Sequence, residues 1–245
     1  MKNRPSYAIA SVDAALQLAV ALQVEGPMTV SEAAERLGVA RSTAHRLLAM
    51  LVYRDFATQL ADRRYAVGPA LSPGLRPSAP VPALRPVVVP HLTALVERVE
   101  ETANVQVLAG DLVRFVASVE CSRALRVGDR EGMVFPAHLT SGGKVLLADL
   151  PDEELAERFV GAGGPDLAAL RTELRAVREN GFALNVGRTE AGLTAVGRPI
   201  RPDGRRAEAA VSVSMPSSRF SEERLPQIVA ALAATARDIE AVLNR

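Results

Sequence analysis

A chain of 245 residues is long enough for two domains, and 48% hydrophobic against 23% charged residues excludes wholesale disorder; with aromatics at 4% and no Trp, the core must be aliphatic. The net charge of +1 names no partner by itself, but residues 1–70 carry eight Lys/Arg against six Asp/Glu, with the excess at Arg36, Arg41, Arg46 and Arg54, a local basic stripe that hints at a polyanion. A single cysteine, Cys121, excludes an intramolecular disulfide framework and a multi-cysteine zinc site and fits a reducing compartment; no signal-peptide core and no uncharged apolar run of about 18 residues is found, so a cytoplasmic protein without a membrane span is expected.

The first elements read as helices. Val12, Leu16, Ala19, Val20 and Leu22 recur at helical spacing, with Asp13 in the first turn, where a carboxylate suits the helix dipole. After "EGP", the segment "TVSEAAERLG" offers Thr29 or Ser31 as an N-cap and Gly38 as a left-handed C-cap. A three-residue turn then leads into "RSTAHRLLAMLVY". Two short helices joined by a tight glycine turn predict a helix-turn-helix. The second helix opens on Arg41, Ser42, Thr43, His45 and Arg46, and no acid occurs from Leu37 to Arg54. Those side chains suit phosphate oxygens and guanine edges, while Leu47, Leu48 and Leu51 suit a core. The bland alternative is an ordinary basic surface helix. Phe56–Thr58 and Arg64–Val67 are then expected as two short strands of a wing, with "LADR" as the turn and Arg63 and Arg64 near its tip.

Seven prolines between 69 and 90 remove backbone donors, so residues 71–90 are expected to form an extended linker, with a helix only from about Pro90. Beyond it, "NVQVLAG" and "LVRFVASVE" read as strands paired about Gly110–Asp111. "SGGKVLLADL", "DEELAERF" and "DLAALRTELRAVRENG" read as helices. "FALNVGR", "GLTAVGRPI" and "RAEAAVSVSMP" read as strands, and a long helix closes the chain. In that last helix Leu225, Ile228, Val229, Leu232, Ala236 and Ile239 form an apolar stripe, fitting either core packing or an interface. The fold class expected is α+β: a winged helix-turn-helix domain over 1–70, a Pro-rich linker over 71–90, and a GAF-like α/β domain over 91–245.

Several motifs bear on chemistry. Ser141-x-x-Lys144 has the spacing of a Ser–Lys nucleophile pair, but "SDN" and "KTG" companions are absent, and Ser141 suits a helix N-cap whose free N–H groups receive an anion. No metal-type spacing links His45, His91 and His138 to each other or to carboxylates, so no metal and no cofactor are expected. "GAGGPD" at 161–166 follows a helix, not a strand, which argues against a phosphate loop. Nothing near Cys121 in sequence would lower its pKa, so it is expected to be inert. Ser212 and Ser214 alternate with Val211 and Val213, so both hydroxyls leave one strand face. That face is either a ligand wall or solvent.

The stretch "SVDAALQLAVAL…MTVSEAAERLGVARSTAHRLLAMLVYRDFA…RRYAVGPAL" resembles the N-terminal domain of IclR-type transcriptional regulators. "HLTSGGKVLLADLP", "VRENGFALNVGRTEAGLTAVGRPI" and "AAVSVSMPSSRF" resemble that family's effector-binding domain. The resemblance implies a homodimer or dimer of dimers that binds a double-stranded DNA operator and a small organic effector, such as a carboxylate or aromatic acid. Carried over residue by residue, it implies effector contacts at Ser141, Gly142, Asn185, Ala195, Ser212 and Ser214. Thr29 and Ser31 join Arg41, Ser42, Thr43, His45, Arg46, Arg63 and Arg64 as implied DNA contacts. Asn185 stands where the family often has an acid and Ala195 where it often has Cys, which implies a neutral, slightly larger pocket. The function implied is that of a repressor without enzymatic activity. Two rivals remain at this stage: a DNA-binding regulator whose second domain only dimerises, and a hydrolase using Ser141 and Lys144.

Overall fold

A computed structural model describes residues 7–71, 81–159, 164–204 and 206–244. The chain divides into two compact units, Met1–Leu75 and Arg76–Arg245.

The first unit is three helices and a hairpin. Helix α1 spans Ala10–Glu25, α2 Val30–Leu37 and α3 Arg41–Tyr53. Strands β1 (Ala57–Gln59) and β2 (Tyr65–Val67) pair antiparallel, the first displaced by one residue from the predicted wing strand and the second one residue shorter at its start. Thr29 is the N-cap of α2: its Oγ1 accepts from the Glu32 N–H at 3.2 Å, while the Glu32 carboxylate accepts from the Thr29 N–H at 2.6 Å, closing a capping box. Gly38, at φ 65° and ψ 35°, ends the helix in the left-handed conformation that a side chain would strain. The core joins Leu18 and Leu22 of α1, Ala33 and Ala34 of α2, Ala44, Leu47, Leu48 and Leu51 of α3, and Tyr65 of the wing.

Of the five α1 residues at helical spacing, only Ala19 and Leu22 are buried. Val12, Leu16 and Val20 are 51, 58 and 57% exposed, and the buried residues are Leu18, Ala19, Ala21 and Leu22. Apolar residues lie on nearly all sides of this helix, so spacing alone did not select the face that packs.

The second unit is three layers around one sheet. The strands are β3 (Thr102–Ala109), β4 (Leu112–Val119), β5 (Val134–Pro136), β6 (Ala183–Val186), β7 (Leu193–Ile200) and β8 (Ala209–Pro216). They run antiparallel in the order β5-β4-β3-β8-β7-β6. Strand β5 was not foreseen. Helix α4 (Val81–Val99) and the closing helix α8 (Leu225–Leu243) cover one sheet face, with Ile228, Leu232, Ala236 and Ile239 of α8 buried in the core. Helices α5 (Ser141–Ala148), α6 (Asp152–Arg158) and α7 (Leu167–Asn180) supply the core of the other face.

The expected linker over 71–90 is contradicted in its second half: α4 is helical from Val81, through Pro86 and Pro90. Residues 72–80 and the glycine run at 161–163 lie outside the described residues. The helix survives its prolines because they share an exposed face, where the carbonyls one turn earlier can take water instead of an N–H. The opposite face carries Leu84, Val88, Leu92, Leu95 and Val99 into the core. Burying five such side chains, each worth about 1.5–3 kcal/mol, outweighs the lost backbone bonds.

Thr29→Ala removes one half of the capping box and is expected to cost about 1 kcal/mol. A urea titration followed through the N-terminal unit checks this; an unmoved midpoint contradicts the assignment.

Candidate functional site

Two surfaces collect the predicted residues. In the first unit the front of α3 is bare. Arg41, Ser42, Thr43, His45 and Arg46 are all exposed, and none has a side-chain hydrogen bond or ion pair among the described residues. The N-cap is Ala40, which has no side chain to satisfy the first-turn N–H groups, and no acid occupies that turn. Unsatisfied N–H groups, a positive dipole end and two guanidinium groups together suit an anion. Thr29 is half-buried with its hydroxyl bonded in the cap, and Ser31 is exposed on the first turn of α2. In the wing, Arg63 adopts φ 64° and Arg64 pairs with Asp62 (Nε to Oδ2, 2.7 Å), so Arg63 is the less committed of the two.

The second surface is a small cavity between the sheet and the first turn of α5. Its walls are Thr140 and Ser141 before and at the start of α5, Gln106 and Ser214 of the central strands, and Asn185 and Ala195 of β6 and β7. Phe115, Phe135, Leu193, Thr189 and Arg130 complete it. The cavity measures about 20 Å³, on a scale where one water needs roughly 10–15 Å³.

Strand alternation builds the floor. Val105 and Val107 of β3, and Val211 and Val213 of β8, join the core under α4 and α8. Their neighbours Asn104, Gln106, Ser212 and Ser214 therefore emerge on the α5 side, all buried. The Ser118 hydroxyl donates to Asn104 Oδ1 at 2.8 Å, and Asn104 Nδ2 donates to Ser214 Oγ at 3.3 Å. In this relay Ser214 Oγ accepts, which leaves its own proton free for a further acceptor at the cavity wall. Gln106 Nε2 donates to Ser212 Oγ at 3.0 Å, while Gln106 Oε1 is buried without a partner. A buried acceptor left unmatched costs roughly 1–3 kcal/mol, which a ligand donor would recover.

Three glycines let α5 lie this close. A Cβ at Gly142 would sit 2.0 Å from Gln106 Oε1, one at Gly143 2.1 Å from Ala137 O, and one at Gly197 of β7 2.7 Å from the Ser141 carbonyl carbon. Thr140 caps α5 by accepting from Gly143 N at 2.8 Å. Ser141 is 2% exposed and its hydroxyl has no partner among the described residues.

The mouth carries a charged pair. Arg130 is the one charged side chain on the cavity wall; its guanidinium lies over the Phe135 ring, 5.2 Å from the centroid, and makes two bonds to Glu190, at 2.9 and 2.8 Å. Those bonds hold the Glu190 carboxyl below the ordinary glutamate range, against the opposing effect of its partial burial.

Of the six carried-over positions, Ser141, Asn185, Ala195 and Ser214 line the cavity, while Gly142 and Ser212 stand behind it, against Gln106. Asn185 also shapes the next segment, accepting from Arg188 N and donating to Thr189 Oγ1, both at 3.0 Å. The expected neutral pocket gains a charge from Arg130. Sequence reading missed Gln106, although Asn104 and Gln106 show the same alternation that revealed the two serines; Arg130 lies in a loop, where no periodicity announces it. The Ser–Lys reading fails on geometry: the Lys144 ammonium is buried against Glu173 at 2.5 Å and donates to Leu184 O, with no bond to Ser141. No helix among the described residues is long and apolar enough to cross a membrane.

Because the Glu190 pKa is depressed, the Arg130–Glu190 pair persists above the ordinary glutamate value and is lost only as pH falls through the lower one. An NMR titration of the Glu190 carboxyl carbon should show a midpoint below 4.5; a midpoint at or above it contradicts the pairing. Gly197→Ala places its methyl against backbone and is expected to destabilise by about 1–3 kcal/mol or more. Gly142→Ala meets only a flexible glutamine end and should keep the fold while displacing Gln106. Equal melting temperatures for the two variants would contradict this packing.

Comparison with known proteins gives a consistent result. Residues 82–241 match the family model for the bacterial transcriptional regulator IclR C-terminal domain, and residues 19–61 match the IclR helix-turn-helix domain. The chain is 32% identical to the HTH-type transcriptional regulator BhcR of Paracoccus denitrificans, covering 96% of this chain and 87% of that protein. It is 29% identical to the HTH-type transcriptional repressor AllR of Escherichia coli, over 89% of this chain and 84% of that one. An IclR homolog from Microbacterium hydrocarbonoxydans, solved in complex with 4-hydroxybenzoate, superposes with a TM-score of 0.59 at 28% identity, over 95% of this chain and 97% of that one.

Proposed function

The chain belongs to the IclR family of bacterial transcriptional regulators, and from that premise we propose that it is a repressor whose α3 enters the major groove of an operator and whose second unit binds a small carboxylic acid. The observation that carries the reading is the front of α3: five polar or basic side chains, all exposed, unpartnered and unopposed by any acid, ahead of a buried leucine face. Recognition helices contact base edges with their leading residues. Arg46 and Arg41 are assigned to guanine or phosphate, Ser42, Thr43 and His45 to base edges or backbone, and Ser31 and Arg63 to flanking phosphates.

The protein acts as a homodimer or a dimer of dimers. Two-fold operators need two copies, and the stripe Val12, Leu16, Val20 and Val24 on α1, exposed by 51 to 77%, suits a second copy of the same helix. Repression is the sign suggested by the printed function of AllR, and an acid effector is suggested by the neighbour bound to 4-hydroxybenzoate. In this chain the first-turn N–H groups of α5 that the Thr140 cap leaves unbonded, those of Ser141 and Gly142, with the Ser141 and Ser214 hydroxyls as further donors, suit a carboxylate, and Gln106 Oε1 suits a donor elsewhere on the same ligand. The acid then acts by population shift: it binds one arrangement of the dimer better than another and changes operator affinity by that difference. No reaction is assigned to Ser141.

Arg46→Ala is expected to weaken operator binding by about 1–3 kcal/mol if it makes a bidentate base contact, and to relax sequence preference at one position of each half-site. A mobility-shift titration on DNA flanking the gene reads both; unchanged affinity and preference would remove Arg46 from the interface.

A further inference from the structure

We propose that the Arg130–Glu190 ion pair is the closed latch of the pocket, and that a carboxylate ligand opens it by taking the Arg130 guanidinium from Glu190. The proposal rests on the pocket being the effector site. It adds the residue that selects the acid over a neutral molecule of the same shape and the device that reports occupancy.

The two partners are unequal. The Arg130 side chain is 12% exposed and the Glu190 side chain 49%. Glu190 can therefore leave into water at little cost, while Arg130, once abandoned, stays largely buried beside a cavity with room for only one or two waters and favours another anion. Arg130 is also fixed in place. Its guanidinium lies over Phe135, which packs edge-on against Phe115 at 5.6 Å, and its backbone N–H donates to Ser118 Oγ at 3.4 Å. Both rings line the cavity, so the guanidinium is presented to whatever enters. Glu190 instead sits on a short segment between Gly187 and Gly192, both at positive φ (67° and 81°), which can act as pivots.

Size makes the exchange necessary. About 20 Å³ admits one or two waters and no organic acid with more than a few atoms. The 187–192 segment contributes Thr189 to the cavity wall, so releasing Glu190 frees the wall that must move. A neutral molecule of the same shape offers Arg130 nothing in place of Glu190 and leaves the latch shut. An acid replaces one charge-assisted pair by another and gains the donors at α5 and Ser214 as well. The segment carrying Glu190 thus takes one position in the empty protein and another in the loaded one.

The test uses the full-length protein and titrates acetate, glycolate and benzoate beside their primary amides by calorimetry. Hydrogen exchange at residues 187–193 is measured without ligand. Glu190→Gln keeps the side-chain size and removes the competing charge: acids should bind about tenfold or more tightly, amides should be unaffected, and exchange at 187–193 should rise. Arg130→Gln should weaken acids by about tenfold or more and leave amides unchanged. If acids and amides bind wild type alike, or Glu190→Gln leaves acid affinity and exchange unaltered, the latch is overturned while the pocket reading stands. If no acid or amide binds any of the three proteins, the pocket reading falls and the latch with it.

Discussion

The first turn of α5 rests on the sheet through glycines, with its backbone against Gly197 of β7 and the end of the Gln106 side chain against Gly142, and the rest of the pocket depends on that contact. Gly142, Gly143 and Gly197 occur where any Cβ would collide with Gln106, Ala137 or Ser141. The close approach brings the helix start against Gly197 of β7 and the Gln106 side chain of β3. The α5 side of β3 and β8 is polar where the other is apolar, because the strands alternate Val with Asn, Gln and Ser. A polar face pressed against a helix start would be a poor core. The relay from Ser118 through Asn104 to Ser214 satisfies most of it, while Gln106 Oε1 and the Ser141 hydroxyl, both on residues that line the cavity, are left without a partner among the described residues.

Charge is distributed in the same spirit. Lys144 is buried one turn from Ser141, yet its ammonium pairs with Glu173 of α7 and stabilises the far side of α5. Glu101, fully buried at the head of β3, is clamped by Arg219 through two bonds, and Arg219 also holds the Leu125 carbonyl, which ties the segment after β4 to the sheet. Removing either partner of such buried pairs is costly. The pair at the cavity mouth differs because one partner is half exposed, and a pair of that kind can exchange. The two compact units match separate family models, the helix-turn-helix domain over residues 19–61 and the IclR C-terminal domain over residues 82–241.

Much of the first unit was legible in the sequence because its signals are local. Thr29 and Glu32 are three residues apart, Gly38 follows at once, and the basic front of α3 is contiguous. The face of α1 was not legible: a helix apolar on most sides leaves the choice to neighbours that sequence spacing cannot see. The prolines misled for a related reason. Pro86 and Pro90 are strong local vetoes on a helix, overruled by five buried side chains on the opposite face of α4. In the second unit, alternation in "VSVS" located Ser212 and Ser214, and the equivalent alternation in "NVQV" carried the Gln106 signal. Ser212 nevertheless backs the cavity instead of lining it, because Gln106 lies over it. Arg130 and Glu190 come together across sixty residues of chain, from two loops with no periodic pattern.

The most direct measurement is a crystal structure of the full chain grown with a carboxylic acid that binds it in solution. The account predicts the carboxylate between the first turn of α5, Ser214 and Arg130, with Glu190 turned out into solvent. Acid found elsewhere on the protein, with the Arg130–Glu190 pair still closed over an empty cavity, would contradict it.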